Sequence, residues 1–234
     1  MKSILTAFFF LIVSVAVQAQ SVDEIIDKHL EVMGGKELMS TIKTMRMTGT
    51  TQIQPGMDAP LVVQVVHDRA MRMDLEIMNM KMTIAVKGDE GWQIMPFQGK
   101  KDAEPLPEDQ IKTMKDQLDA TGDLYNYAAK GSTVELIGTD DLDGTEVYKI
   151  KLTKSSGNVI YHFIDKESYY DLQVTTVVTV EGKDMEMNQG FSNFQKTDSG
   201  LVVAMSGTGG MGDVKWNNIE LNPEIDMTIF DMPK

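Results

Sequence analysis

The sequence predicts a mainly β (α+β) protein built on one antiparallel sheet that curls toward a barrel. Three observations carry this expectation. Apolar and polar residues alternate in about eleven or twelve short stretches, separated at regular spacing by Gly, Pro, Asn and Asp turn signals. No strand–helix–strand rhythm recurs, so the chain lacks the crossovers a parallel sheet needs. Residues 71–86 read apolar at every second position on both sides of Met78-Asn79, as the two strands of one hairpin do.

That hairpin organises the rest. Met71, Met73, Leu75 and Ile77 fall on one face of its first strand, and Met80, Met82, Ile84 and Val86 on one face of its second. A tight turn at Met78-Asn79 joins them. Arg72, Asp74, Glu76, Lys81 and Lys87 are expected to look out to water. Much of the apolar face is methionine, which is unbranched and polarizable and conforms to irregular or varied partners. Half-buried strands also need an apolar side for ordinary packing, so the face reads either as a binding surface or as core. Leu, Ile and Val define a unique core better than Met does, which favours binding.

From the N-terminus, Lys2, an apolar run over residues 4–17 and the small-residue site Val17-Gln18-Ala19 read as a signal peptide, residues 1–19, cleaved after Ala19. The run is short for a membrane span, which needs roughly 20 apolar residues. Residues 20–234 are read as a single domain. Ser21-Val22-Asp23-Glu24 is a capping box, and Val22, Ile25, Ile26, Leu30 and Met33 form a helical stripe that Gly34-Gly35 ends. A short helix over residues 36–42 presents Leu38 and Ile42.

Strands are expected at residues 44–54, with Met45, Met47, Gly49, Thr51 and Ile53 on one face, and at 61–67, with Leu61, Val63 and Val65 on one face. The hairpin follows, then a turn at 88–91 into a strand at 92–96. Residues 100–107 are polar and carry prolines, so they read as a loop. Residues 108–118 form an amphipathic helix with Ile111, Met114 and Leu118 on one face, to be laid on the open face of the sheet. An irregular connection at 122–131 leads to strands at 134–140, 145–154, 159–165, 169–181, 185–195, 201–206 and 214–221. The tail carries Ile225, Ile229 and Phe230.

The chain of 234 residues has no cysteine, which excludes disulfides, a thiol nucleophile, Cys-based metal sites and a lipidated N-terminal Cys. Export without disulfides suits a bacterial envelope compartment. A net charge of −13 argues against nucleic acid and anionic membranes as partners.

No enzyme constellation is visible. The glycine-rich residues 207–212 precede a strand-like Val214-Lys215-Trp216, and a phosphate loop must open a helix. Asp140-Asp141-Leu142-Asp143-Gly144 lacks the spacing and terminal Glu of a calcium loop and reads as a hairpin turn. His29, His67 and His162 are scattered, without a spaced ligand pair, and read as structural or solvated. There is no Gly-x-Ser-x-Gly elbow. No catalytic residue, metal or cofactor is assigned. Carboxylate pairs abound in so acidic a chain, which leaves a glycosidase-like site open.

The segment Gly88-Asp89-Glu90-Gly91-Trp92-Gln93-Ile94-Met95-Pro96-Phe97 resembles the turn–Trp–Pro-Phe segment of the periplasmic outer-membrane lipoprotein-sorting carriers, the LolA/LolB-like proteins. The N-terminal helix, the strand order and the closing Ile229-Phe230-Asp231-Met232-Pro233 fit the same family. The resemblance covers essentially all of residues 20–234. It implies a half-open, strongly curved antiparallel barrel of about 11 strands closed by a helical lid, with a concave face that binds acyl chains. On this chain the binding face is Met45, Met47, Met71, Met73, Leu75, Ile77, Met80, Met82, Ile84, Val86 and Trp92, and the lid is Ile111, Met114 and Leu118. The family latches its lid with the Arg of an Arg-Pro pair. Here the region reads His67-Asp68-Arg69-Ala70, so Arg69 is the nearest candidate latch and the Pro is missing.

The function expected is a soluble, non-lipidated periplasmic carrier of lipids or lipoprotein acyl chains, monomeric and non-catalytic, served by a membrane-bound donor or acceptor protein. The alternatives are an envelope sensor or protein-interaction domain of the same fold, and a hydrolase with an unrecognised site.

Overall fold

The computed structural model of the protein describes residues 20–115, 117–180, 183–209 and 212–233. The expected signal peptide, and Gly182, Gly210 and Met211 of the expected turns, lie outside the described residues.

Among the described residues, one antiparallel sheet of thirteen strands makes the frame. Its first half comprises β1 (Thr44–Gln54), β2 (Met57–Val66), β3 (Ala70–Ile77), β4 (Met80–Lys87), β5 (Glu90–Met95) and β6 (Lys100–Pro105). Its second half comprises β7 (Thr133–Leu142), β8 (Thr145–Thr153), β9 (Val159–Asp165), β10 (Asp171–Val180), β11 (Lys183–Lys196), β12 (Val202–Gly209) and β13 (Asp213–Leu221). The spatial order is β6-β5-β4-β3-β2-β1-β13-β12-β11-β10-β9-β8-β7. Consecutive strands pair throughout except β6 with β7, and at the centre β1 meets β13 and registers Met45 against Leu221. The sheet does not close, and β6 and β7 are its two edges.

The count exceeds the eleven or twelve expected because residues 100–105, read as a loop, form an edge strand. Lys100 pairs with Met95 and Pro105 with Trp92 around an irregularity. An edge strand bonds on one side only, so it tolerates Pro and charge that a central strand does not. Its polarity hid it. The hairpin is as expected: Ile77 registers with Met80, and Met78 and Asn79 both hold positive φ, 50° and 60°, as a two-residue turn of the I′ kind requires.

The sheet is strongly curved. One buried cluster joins Leu136 of β7, Ile150 of β8, Val174 of β10, Val203 of β12, Leu221 of β13 and Met45 of β1 around two helices. A flat sheet could not bring strands so far apart in its order onto one core. The helices are α1 (Val22–Val32) and α2 (Lys36–Ser40). Ser21 caps α1 as expected: its hydroxyl accepts from the Glu24 N–H at 3.2 Å, and the Glu24 carboxylate accepts from the Ser21 N–H at 2.9 Å. Ile25, Ile26 and Leu30 are buried against the sheet.

The third helix, α3 (Glu108–Lys115), lies on the stretch that runs from one edge of the sheet to the other. It stops three residues short of the expected end, so Leu118 is not helical, yet Leu118 is buried with Met71 and Val65. Ile111 packs with Leu106 over Val86. Gly91 makes room for this contact: a Cβ there would stand 2.9 Å from Leu106 Cδ1 and 3.0 Å from Ile111 Cγ1.

Because Gly91 faces α3, Trp92 faces the other way. This corrects the expectation that Trp92 belongs to the concave apolar face. Trp92 registers with Ala85, on the back of the sheet, and its indole N–H donates to the Phe230 carbonyl at 2.8 Å. The C-terminal tail covers that back face. Phe230 is buried against Val66 and Ala70, and Arg72 donates to the Ile229 carbonyl at 2.6 Å. Arg72 and Asp74 are therefore not solvated. They pair with each other at 3.0 Å under the tail, and Asp74 also accepts from Thr83. Burial alone would raise the Asp74 pKa, but Arg72 and Thr83 outweigh it and hold that pKa below the usual carboxylate range.

Candidate ligand-binding cavity

The concave side holds a cavity of about 400 Å³ under α1, α2 and the connection after α3. Its floor comes from the centre of the sheet. Period two along β1 points Met45 and Met47 inward, and register across the sheet adds Ile219 and Trp216 of β13 and Phe191 of β11. Gly49 is the contact that lets β13 bulge here, since a Cβ on it would lie 2.2 Å from the Lys215 carbonyl oxygen. Leu30, Met33 and Met39 form the roof, and residues 120–125 form a wall.

Of the expected binding residues, Met45 and Met47 line this cavity. The hairpin residues do not, and they divide into three groups. Met71, Ile84 and Val86 are covered by Leu118, Ile111 and Met114. Met73, Ile77 and Met82 surround the buried Leu75, with Trp216 among their neighbours. Met80, at the turn, is 37% exposed. The lid residues Ile111, Met114 and Leu118 thus seat on the hairpin half of the trough, while residues 120–125 cover the cavity half. A second hollow of about 550 Å³ lies beside β5 and includes Ile111, Trp92 and the charged Lys87, Glu90 and Asp231.

The covering connection is fastened at the β2–β3 turn by His67 and Asp68, and among the described residues Arg69 makes no hydrogen bond or ion pair to it. Asp68 holds a positive φ of 57°, which turns the chain back on itself. His67 Nδ1 accepts the Ala120 N–H at 3.2 Å, and the Asp68 N–H donates to the Leu118 carbonyl at 3.0 Å. Arg69 is exposed. Asp119 ties the same segment to Lys130 and Thr121. Burial opposes its charge, but these bonds win and hold its pKa low. At the other end of α3, Lys115 pairs with Asp89.

The polar members of the cavity were missed in the sequence. His162 is 4% exposed, and its Nδ1 lies 2.6 Å from Asp171 Oδ2. Burial pulls the His162 pKa down, but the Asp171 charge and hydrogen bond outweigh it and raise the pKa above 6.5. His29 is 8% exposed and places Nδ1 2.8 Å from the Tyr169 carbonyl oxygen. For it burial dominates, and the pKa falls below 6.5. Alternation does place His162 on the Ile150 and Val174 face, which is the one signal that pointed inward. Among the described residues no group of three or more His, Cys, Asp or Glu is arranged to hold a metal ion, and no helix is long and apolar enough to cross a membrane.

No family profile and no curated protein matches the chain in sequence. Solved structures do match it in fold. A DUF1329 family protein from Desulfovibrio piger aligns with a TM-score of 0.58 at 12% identity, over 90% of this chain and 97% of its own. A LolA superfamily protein from Nitrosomonas europaea gives 0.55 at 14%, over 91% and 98%. An outer membrane lipoprotein-sorting protein domain from Vibrio parahaemolyticus, itself described as putative, gives 0.54 at 11%, over 88% and 97%. At such identities the likeness is one of fold: the chain has the LolA-like fold, an open antiparallel half-barrel with helices on its concave side.

Proposed function

We propose that the protein is a periplasmic carrier that shelters the acyl chains of a lipid or lipoprotein, without catalysis. The observation that carries this reading is the 400 Å³ apolar cavity floored by Met45 and Met47 and roofed by separate helices rather than filled by the sheet's own side chains. That volume lies in the roughly 300–1,000 Å³ range of small-ligand sites. The fold shared with a lipoprotein-sorting domain supports the same reading. So does the leader expected over residues 1–19.

The energetics are adequate. Each CH₂ removed from water contributes roughly 0.8 kcal/mol, so an acyl chain of some fifteen carbons contributes on the order of 10 kcal/mol gross. Ordering the chain and parting the cover reduces that. A methionine floor adapts to cargo and lets it go more readily than a tightly shaped pocket would. The last residues of β1, β3 and β10 share one end of the sheet. Met78, Met80, Met185 and Met187 are exposed there, a rim suited to brief contact with a membrane-bound donor or acceptor protein.

Native mass spectrometry of the mature protein, purified from its own envelope without detergent, tests the proposal. A mass excess that fragments to a phospholipid or acylated peptide is expected. A clean mass that stays clean after incubation with lipids would sink it and favour a protein-interaction domain.

A further inference from the structure

The cavity wall is mostly apolar, and at its α1 end a buried polar group has a hydrogen-bonding atom left open. His162 stands on the concave face of β9, registered between Ile150 of β8 and Val174 of β10. Asp171 takes its Nδ1 at 2.6 Å. A carboxylate only accepts, so Nδ1 carries a proton. Asp171 is itself held by the Phe163 N–H at 3.2 Å, which fixes the ring's direction. The other ring nitrogen, Nε2, is shut off from solvent and has no partner among the described residues. An unpaired buried nitrogen is costly and uncommon in folded proteins.

His29 reaches the same cavity from α1. Its Nδ1 donates to the Tyr169 carbonyl, so in the neutral ring Nε2 keeps its lone pair. The charged groups around it are already paired. Asp171 is taken by the His162 Nδ1–H, and Asp123, also in the wall, pairs with Lys154 at 2.9 Å. A carboxylate placed here would be an extra buried charge with no counter-ion. An uncharged oxygen would not.

We propose that this end of the cavity is a head-group subsite, in which the hydroxyl of an otherwise apolar ligand hydrogen-bonds His162 Nε2. A hydroxyl fits the open nitrogen of either ring, because it can donate to a lone pair as well as accept from an N–H. The inference rests on the carrier reading and adds to it a ligand class and an orientation: an uncharged long-chain molecule with its oxygen at the α1 end and its chain along Met45, Met47 and Trp216.

The test uses mature protein with ¹⁵N-labelled histidine, whose three histidines are separately assignable. It is titrated in parallel with hexadecane, hexadecanol and hexadecanoate. Hexadecanol is expected to move the His162 Nε2 resonance, and hexadecane to bind without moving it. In the paired variant His162→Leu/Asp171→Leu, which removes both hydrogen-bond partners together, hexadecanol affinity is expected to fall about tenfold while hexadecane affinity holds. Hexadecane and hexadecanol acting alike on His162 would overturn the subsite and leave the carrier reading standing. Tighter binding of hexadecanoate than of hexadecanol would overturn the uncharged head. Binding of none of the three would overturn the carrier reading and the subsite with it. The resonance readout needs no variant, so misfolding of the double substitution cannot rescue the idea.

Discussion

The halves of the sheet on either side of the β1–β13 seam have apolar concave faces of similar pattern, but they are covered differently. In the half from β2 to β6, α3 and Leu118 press directly on Met71, Ile84 and Val86, and Gly91 gives up its side chain to let Ile111 approach. In the half from β13 to β7, α1 and α2 stand off the central strands and leave the cavity, with His29, His162 and Asp171 at its edge. Alternation makes a face apolar. Whether that face becomes packed core or cavity depends on the element laid over it and on how closely that element can approach.

The sharpest way to break the cavity half is to remove one partner of its buried pair. Asp171→Ala should destabilise the protein by about 3 kcal/mol or more, since His162 then loses its counter-charge in a site closed to water. Urea unfolding at neutral pH reads this directly. A smaller loss would mean water reaches the ring. The matching experiment on the hairpin half is Gly91→Val, whose added carbons collide with Leu106 and Ile111. A cost of about 1–3 kcal/mol is expected, with binding in the distant cavity retained. If binding failed as well, the two halves would be one coupled unit.

The two cavity histidines sharpen the comparison through pH. His162, with its folded pKa raised above 6.5, adds stability that is fully present below 6.5 and is lost as pH rises through the folded value. His29, with its folded pKa lowered, does the reverse. The unfolded chain takes up its proton first, so stability is lost as pH falls below 6.5. Histidine NMR titration should give midpoints on opposite sides of 6.5. Equal midpoints would place both rings in similar surroundings. The smallest effect belongs to the hairpin tip. Met78 holds a left-handed φ of 50° that costs an L residue roughly 1–2 kcal/mol. Met78→Gly relieves this but loses more chain entropy on folding, so a gain below about 1 kcal/mol in thermal unfolding is expected.

Much of the frame was legible in the residues. The bounds of β1 and β9, the Ser21 cap and the Met78-Asn79 turn all follow from short-range patterns that tertiary contacts reinforce. Three features were hidden. The edge strand at Lys100–Pro105 was masked by its polar residues and Pro105. Trp92 was grouped with the hairpin face through the family resemblance, whereas its small neighbour Gly91 faces inward. His162 and Asp171 lie on successive strands, and their pairing depends on an irregular register between Asp171 and Gln173.

Local chemistry was enough to set the strand alternation, the capped helix, the lack of disulfides and the acidic surface, because each depends on near neighbours or on composition alone. The pairing of β1 with β13, the curvature that gathers strands from both halves, and the choice between cavity and core needed the folded chain. Those properties depend on distances between residues far apart in sequence, and on how closely a helix can approach a sheet. No periodicity in one strand encodes either.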